Sequence, residues 1–163
     1  MSAVFSPCLK YRYRLDRDVS NEGKVIAFFG VNPSYADAMK DDNTIRRMKG
    51  FTLSHSGKRL IVGNVFSYRS TDVRALAIAD NCFGELHHYH LKEIISEADL
   101  LVPCWGSRNK LPRDLHSHLE STMILLIDSG KPVYTFGHTA SGDPKHPLML
   151  AGSTMLAPWK VCT

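Results

Sequence analysis

Apolar residues along this chain gather into four short runs, each bounded by glycine, proline or asparagine, with stretches of helical spacing between them. The first, Val25-Ile26-Ala27-Phe28-Phe29, is continuous instead of alternating, which is the pattern of a strand covered on both faces. It stops at Gly30-Val31-Asn32-Pro33-Ser34, where glycine and proline break the run and leave an amide, a hydroxyl and turn backbone at the strand end. Arg59 to Tyr68 is a second buried strand, interrupted by Asn64. A third, Asp99 to Ser107, ends in Trp105-Gly106-Ser107; Pro103 cannot donate to a ladder and marks a bulge or a departure from the sheet. The fourth, Lys131 to Phe136, opens into a long loop over residues 137–148.

Between these runs the spacing turns helical. Ile45, Met48, Phe51 and Thr52 predict a helix that Asn43 or Thr44 caps and Gly57 ends. Ser70-Thr71-Asp72 caps a helix through about Ala79, and Asn81 to Ala98 gives another with Leu91, Ile94, Ile95 and Ala98 on one face. Leu115, Leu119, Met123 and Leu126 define a last helix, closed by Gly130. At the start of the chain, Tyr11-Arg12-Tyr13-Arg14-Leu15 alternates with the period of a half-buried edge strand, whose arginines could meet phosphates but are read as charges that discourage pairing with other chains. The tail, residues 149–163, packs along an edge. Strands alternating with helices predict an α/β fold: a three-layer α/β/α sandwich around a four-stranded, mainly parallel sheet, plus a short N-terminal edge strand. One domain covers residues 1–163, with its core at about 24–150.

In open α/β sheets, ligands bind at the carboxyl ends of the strands. That rule brings Gly30 to Ser34, Asn64, Trp105-Gly106-Ser107 and the loop over 137–148 to one rim as a cleft. Asn64 is the most informative of these positions. A buried amide left unsatisfied costs about 1–3 kcal/mol, so either the fold or a ligand must pair it. Its donor and acceptor together suit the edge of a nucleobase. Asp41 and Asp42 fall near the same rim, as a solvated helix start or as a carboxylate for the site; no set of ligands has metal-binding spacing.

Composition adds a mild bias. A net charge of +4 and a pI near 8.9 permit phosphate-bearing partners. Arg46, Arg47, Arg69, Arg108, Lys110 and Lys145 are the candidates to meet phosphate, and each is equally a solvated cation. His87, His88 and His90 lack the i, i+4 spacing of a zinc helix and read as solvated, as do His116 and His118. Cys8, Cys82, Cys104 and Cys162 are widely spaced and read as reduced thiols, Cys104 as packing. No run reaches the roughly 20 apolar residues of a membrane span, and no signal-peptide pattern opens the chain. A cytoplasmic monomer without metal or cofactor is expected.

The order of these motifs resembles the uracil-DNA glycosylase superfamily over about residues 24–150. Its pattern has a G-x-[DN]-P loop after the first strand, a base-reading Asn in the second, W-G-S after the third and an H-P loop after the fourth. Here these stand as Gly30-Val31-Asn32-Pro33, Asn64, Trp105-Gly106-Ser107 and His146-Pro147. More closely, Asn32-Pro33-Ser34, Asp42 to Arg47, Asn64 to Arg69 and His146-Pro147-Leu148 resemble an uncharacterised bacterial and phage domain family.

The glycosylase resemblance implies that Asn32 positions a water, Asn64 reads a flipped base in DNA or a nucleotide, and His146 hydrogen-bonds the leaving base. Gly30, Val31, Pro33, Ser34, Trp105, Gly106 and Ser107 would complete the base pocket. It implies an N-glycosylase, with a non-catalytic nucleotide- or nucleic-acid-binding protein as the alternative. Two departures bear on that choice. Asn32 stands where the most active relatives carry an aspartate, and an amide orients water but accepts no proton; a lost general base forfeits typically 10²–10⁴-fold. Leu148-Met149 replaces the serine-containing continuation that grips the DNA backbone in that superfamily.

Overall fold

A computed structural model describes residues 1–160 of the chain. Its centre is β3 (Lys24–Gly30), the apolar run predicted to be covered on both faces. Parallel neighbours flank it: β4 (Gly57–Asn64) on one side and β5 (Leu100–Pro103) on the other. Alternate residues of β3 serve two separate cores. Val25, Ala27 and Phe29 pack with Leu91, Ile94 and Ile95 of α2 (His87–Glu97) and with Leu119 and Leu126 of α3 (His116–Asp128). Ile26 and Phe28 pack with Ile45, Met48 and Phe51 of α1 (Asn43–Ser54) on the opposite face. Burying one such side chain contributes about 1.5–3 kcal/mol, and a strand dry on both faces has no room for polar residues.

The sheet is less parallel than predicted, and its strands are differently composed. It has five strands in the order β1-β2-β4-β3-β5, with β1 (Ser2–Phe5) and β2 (Arg12–Asp18) joined antiparallel to each other and β2 antiparallel to β4. The strand predicted at the edge is therefore interior, with β1 outside it. Its pairing slips between Val4 and Phe5: Arg14 faces Val4 and Arg12 faces Phe5, so Tyr13 is the extra residue of a bulge. A bulge interrupts the alternation of faces. Tyr13 stacks on His90 and Arg14 reaches Glu97, both on α2, whereas Arg12, Leu15 and Arg17 turn toward α1 and the segment before it.

The predicted fourth strand is not a full member of the sheet. Only Tyr134–Thr135 form a strand, β6, which pairs antiparallel with β7 (Ala157–Pro158) of the tail; a single parallel bridge, Leu101 to Val133, joins this segment to β5. Two predicted helices shrink. Residues 70–79 form only a 3-10 turn, Val73–Ala77, because Leu76 alone is buried there. The helix expected from Asn81 starts at His87: Asn81 Oδ1 accepts from the backbone of Phe83 and Gly84, and Gly84 sits at φ 74°, which closes a turn instead. Helix α1 starts one residue before the predicted caps allow, because Asp42 caps it by accepting from Ile45 N at 2.8 Å. Cys104 is fully buried and its thiol is pushed up to about 12, which suits packing; Cys162 lies outside the described residues.

The turn before α2 folds Phe83 back against His87 and His118. His87, predicted to be solvated, is 4% exposed and shares a 2.7 Å hydrogen bond with Ser67 Oγ through Nδ1. Burial lowers its pKa to about 4, with His88 and His118 adding to the effect. The folded state thus favours the neutral ring, so its contribution is complete above the unfolded value of 6.5 and disappears as pH falls from there toward 4. A shift of this size corresponds to stability on the order of 3 kcal/mol. Urea midpoints measured between pH 7.5 and 4 should fall steeply across that window (on the ~6.5 reference scale for histidine), and His87→Gln should flatten this part of the profile. An unchanged slope in the variant would remove His87 as its source.

Candidate functional site

A cavity of about 400 Å³ opens at the carboxyl ends of β3, β4 and β5. It is large enough for a small organic ligand, since such sites span roughly 300–1,000 Å³. The ladder between β3 and β4 continues past the strand ends to form its floor. Val65 N donates to Gly30 O, Phe66 N to Val31 O and Ser70 N to Pro33 O, so the loops after the two strands run side by side. Gly30 lies against Asn64, and a Cβ at Gly30 would come within 3.0 Å of Asn64 Oδ1. The carbonyl side of that amide abuts the glycine backbone. Its Nδ2 is buried without a hydrogen-bond partner, and the residue lines the cavity.

Asn32 also lines the cavity, but its donors face the other way. Nδ2 lies 2.9 Å from Ser70 O and 3.2 Å from Tyr68 O, with Pro33 O at 3.3 Å. Three carbonyls around one nitrogen fix which end of the side chain is NH₂. The amide thus fastens the first loop to the second and keeps Oδ1 as its remaining polar group. Pro33 does not line the cavity; its carbonyl holds the loop instead. Gly30, Val31 and Ser34 do line it.

The third and fourth loops close the opposite wall. Gly106 takes φ 78° and donates its N–H to Pro144 O at 2.9 Å, and a Cβ there would sit 3.3 Å from that of His146. Glycine is needed both for the left-handed backbone and for the close approach. Trp105 lines the cavity with its buried indole Nε1 unpaired. Ser107 contacts Ser141 Oγ at 3.0 Å. The loop over 137–148 is organised by Asp143, 2% exposed, which accepts from Ser141 Oγ, Arg108 N and Arg108 Nε. Nothing in the local sequence singles out Asp143, because its partner Arg108 lies 35 residues away.

His146 caps the 3-10 turn Pro147–Met149, where Nδ1 accepts from Leu148 N at 3.2 Å. That bond leaves the ring proton on Nε2 as a donor. Burial, then the charge of Lys110, holds the imidazole below its ordinary pKa, with Asp42 pulling the other way. The ring is therefore neutral at pH 7. Asp42 is the one carboxylate among the residues lining the cavity; its Oδ1 caps α1, and Oδ2 accepts no hydrogen bond from the described residues. Asp41 is elsewhere, bound to Arg17 at 2.7 Å and Lys49 at 3.1 Å.

Of the predicted phosphate contacts, only Arg108 and Lys110 line the cavity. Arg46 turns to Asn43 Oδ1, Arg47 binds Leu150 O and stacks on Phe51, and Lys145 is exposed outside the cavity. Arg69 stacks on Phe5, donates to Leu9 O, and borders a second cavity of about 330 Å³ that shares Ser34, Ser70 and Thr71 with the first. Arg12, read from sequence as an edge charge in preference to a phosphate contact, is turned into the main cavity by the bulge in β2.

The family described as "Protein of unknown function (DUF1643)" matches residues 12–148. The chain belongs to that family. The DUF1643 match begins at Arg12 and ends at Leu148, and so takes in the four loops around the cavity. No curated protein and no solved structure matches the chain. No described helix of this DUF1643 protein is long and apolar enough to cross a membrane.

Because the Asn32 amide donates to loop carbonyls, Asn32→Asp should turn a carboxylate oxygen toward Tyr68 O and Ser70 O. Stability at pH 7 should fall by about 1–3 kcal/mol, read as a lower urea midpoint, with partial recovery at low pH where the carboxyl carries a proton. Wild-type stability in that variant would show that the amide is not what ties the loops together.

Proposed function

We propose that the cavity binds a nucleobase carried by a nucleotide or by DNA, and that the protein hydrolyses the N-glycosidic bond of its ligand slowly. The observation that carries this reading is Asn64, a buried amide whose Nδ2 has no protein partner at the wall of a cavity. An unpaired buried donor is costly unless a ligand completes it, and the indole N–H of Trp105, which lines the same cavity, makes the same demand. A nucleobase offers acceptors to both and a flat face to apolar walls. The motif order shared with the uracil-DNA glycosylase superfamily supports the same ligand class.

The chemistry follows from charge. N-glycosidic cleavage builds positive charge on the sugar as the C–N electron pair leaves with the base, and water adds at the sugar carbon. A donor aimed at the departing base is stronger in the transition state than in the ground state. His146, neutral with Nε2–H free to donate, fits that role. Asn32 Oδ1 orients the water, and Asp42 Oδ2 takes the proton that Asn32 cannot accept. A carboxylate already occupied in capping a helix is a modest base, in keeping with slow turnover. A second reading, nucleotide binding without hydrolysis, is favoured by the commitment of the Asn32 donors to loop carbonyls.

Binding and base release separate the two. Titration calorimetry with nucleosides, nucleotides and single-stranded oligonucleotides should detect binding that Asn64→Ala weakens about 10- to 100-fold. Base release from uracil, mismatched and modified substrates should be lost in His146→Ala while binding persists. Binding with no product on any substrate selects the non-catalytic reading. Absence of binding to every nucleobase ligand removes both.

A further inference from the structure

Two arginines on the α1-facing side of β2 are buried, and the fold treats them differently. Arg17, fully enclosed, donates to the Asp41 carboxylate at 2.7 Å and to the carbonyls of Asp16, Ser2 and Asp37. Arg12, 3% exposed, donates from its side chain only once, from Nη1 to Ala36 O at 2.8 Å. Its Nε is buried without a partner, and among the described residues it forms no ion pair. Burial lowers its pKa to about 10, which still leaves a full cation at neutral pH; Asp42 offsets the effect through space, and Arg69 and Arg17 add to it.

A buried guanidinium without a counter-ion is strongly unfavourable unless something pairs it. Arg12 lines the main cavity, so the space in front of it is ligand space. Ser34 and Thr71 line the same space, and their hydroxyls make no hydrogen bond to the described residues. A planar fork of N–H donors with two free hydroxyls matches the oxygens of a phosphate.

We propose that Arg12 anchors an anion subsite that takes the terminal phosphate of a nucleoside monophosphate, while the base of the same molecule lies at Asn64. The base half rests on the nucleobase reading above; the anion half stands on Arg12, Ser34 and Thr71, independently of that reading. A terminal phosphate is preferred to a strand phosphodiester because a diester must carry a second sugar back out past a side chain that is almost wholly enclosed. A monoester also brings more negative charge to a guanidinium that forms no ion pair among the described residues. The subsite makes a free nucleotide, in place of a base flipped from duplex DNA, the ligand class of this cavity.

The test compares nucleosides, their 5′-monophosphates, inorganic phosphate and a single-stranded oligonucleotide without terminal phosphate, by calorimetry and by thermal unfolding at fixed salt. Monophosphates should bind about 10- to 100-fold tighter than nucleosides, and inorganic phosphate should raise the unfolding midpoint. Arg12→Gln should bring monophosphates down to nucleoside affinity and abolish the phosphate shift; Arg12→Lys, which keeps the charge, should retain part of both and stands in if the glutamine variant fails to fold. Equal affinity for nucleosides and monophosphates overturns the subsite and leaves the nucleobase reading intact. Arg12-dependent phosphate binding without any nucleoside binding supports the anion half and removes the nucleobase reading. An oligonucleotide that binds tighter than the monophosphates through Arg12 overturns the terminal-phosphate assignment.

Discussion

The parallel ladder between β3 and β4 is the constraint on which the site depends. It does not end with the strands: three more backbone hydrogen bonds carry it from Gly30, Val31 and Pro33 to Val65, Phe66 and Ser70. Two loops that would otherwise move independently become one ribbon, and the Asn32 amide bonds across it to Tyr68 O and Ser70 O. Asn64 is set in register beside Gly30 by the same ladder, with its carbonyl oxygen pressed to the glycine and its NH₂ left over. The position of the orphaned donor is thus a product of backbone pairing, and a cavity wall of this rigidity needs little ordering when a ligand binds.

The other wall uses a different device. Gly106 approaches His146 closely and bonds to Pro144, while Asp143 draws Arg108, Ser141 and the loop backbone together. A buried carboxylate held by a guanidinium, a backbone N–H and a hydroxyl is a satisfied network, and such networks specify one arrangement. Arg17 with Asp41 is another, tying β2 to the segment before α1. Against those two, Arg12 stands out as a buried charge the protein does not complete.

The apolar code carried much of this architecture. Continuous runs at Val25 to Phe29 and around Leu60 to Val62 gave central strands, and the 3.6-residue spacing of Ile45, Met48 and Phe51 gave α1, because burial on two faces or one stripe leaves that imprint directly. Asn64 was legible as a polar residue inside such a run. The short elements were not: residues 70–79 and 81–86 carry caps and scattered apolar residues, yet the local Asn81 turn and the positive φ of Gly84 override the helical spacing. The sheet also differs at both ends, where β1 covers the strand expected at the edge and the tail, through β7, pairs with what remains of the expected fourth strand.

The sequence by itself determined the central strands, the helices that cover them and the rim at which Asn32, Asn64, Trp105 and His146 meet, since each follows from local periodicity and from a general rule of α/β sheets. Only the tertiary structure decided which polar groups are satisfied. Asn32 and Arg17 find partners contributed by segments more than twenty residues away, Asp41 is withdrawn into an ion pair, and Asp42, which lines the cavity, uses only Oδ1 in its cap. The bulge at Tyr13 turns Arg12 from an apparent edge charge into a buried cation. Pairing over such distances leaves no trace in neighbouring residues, and a one-residue slip in a strand exchanges its faces without altering its composition.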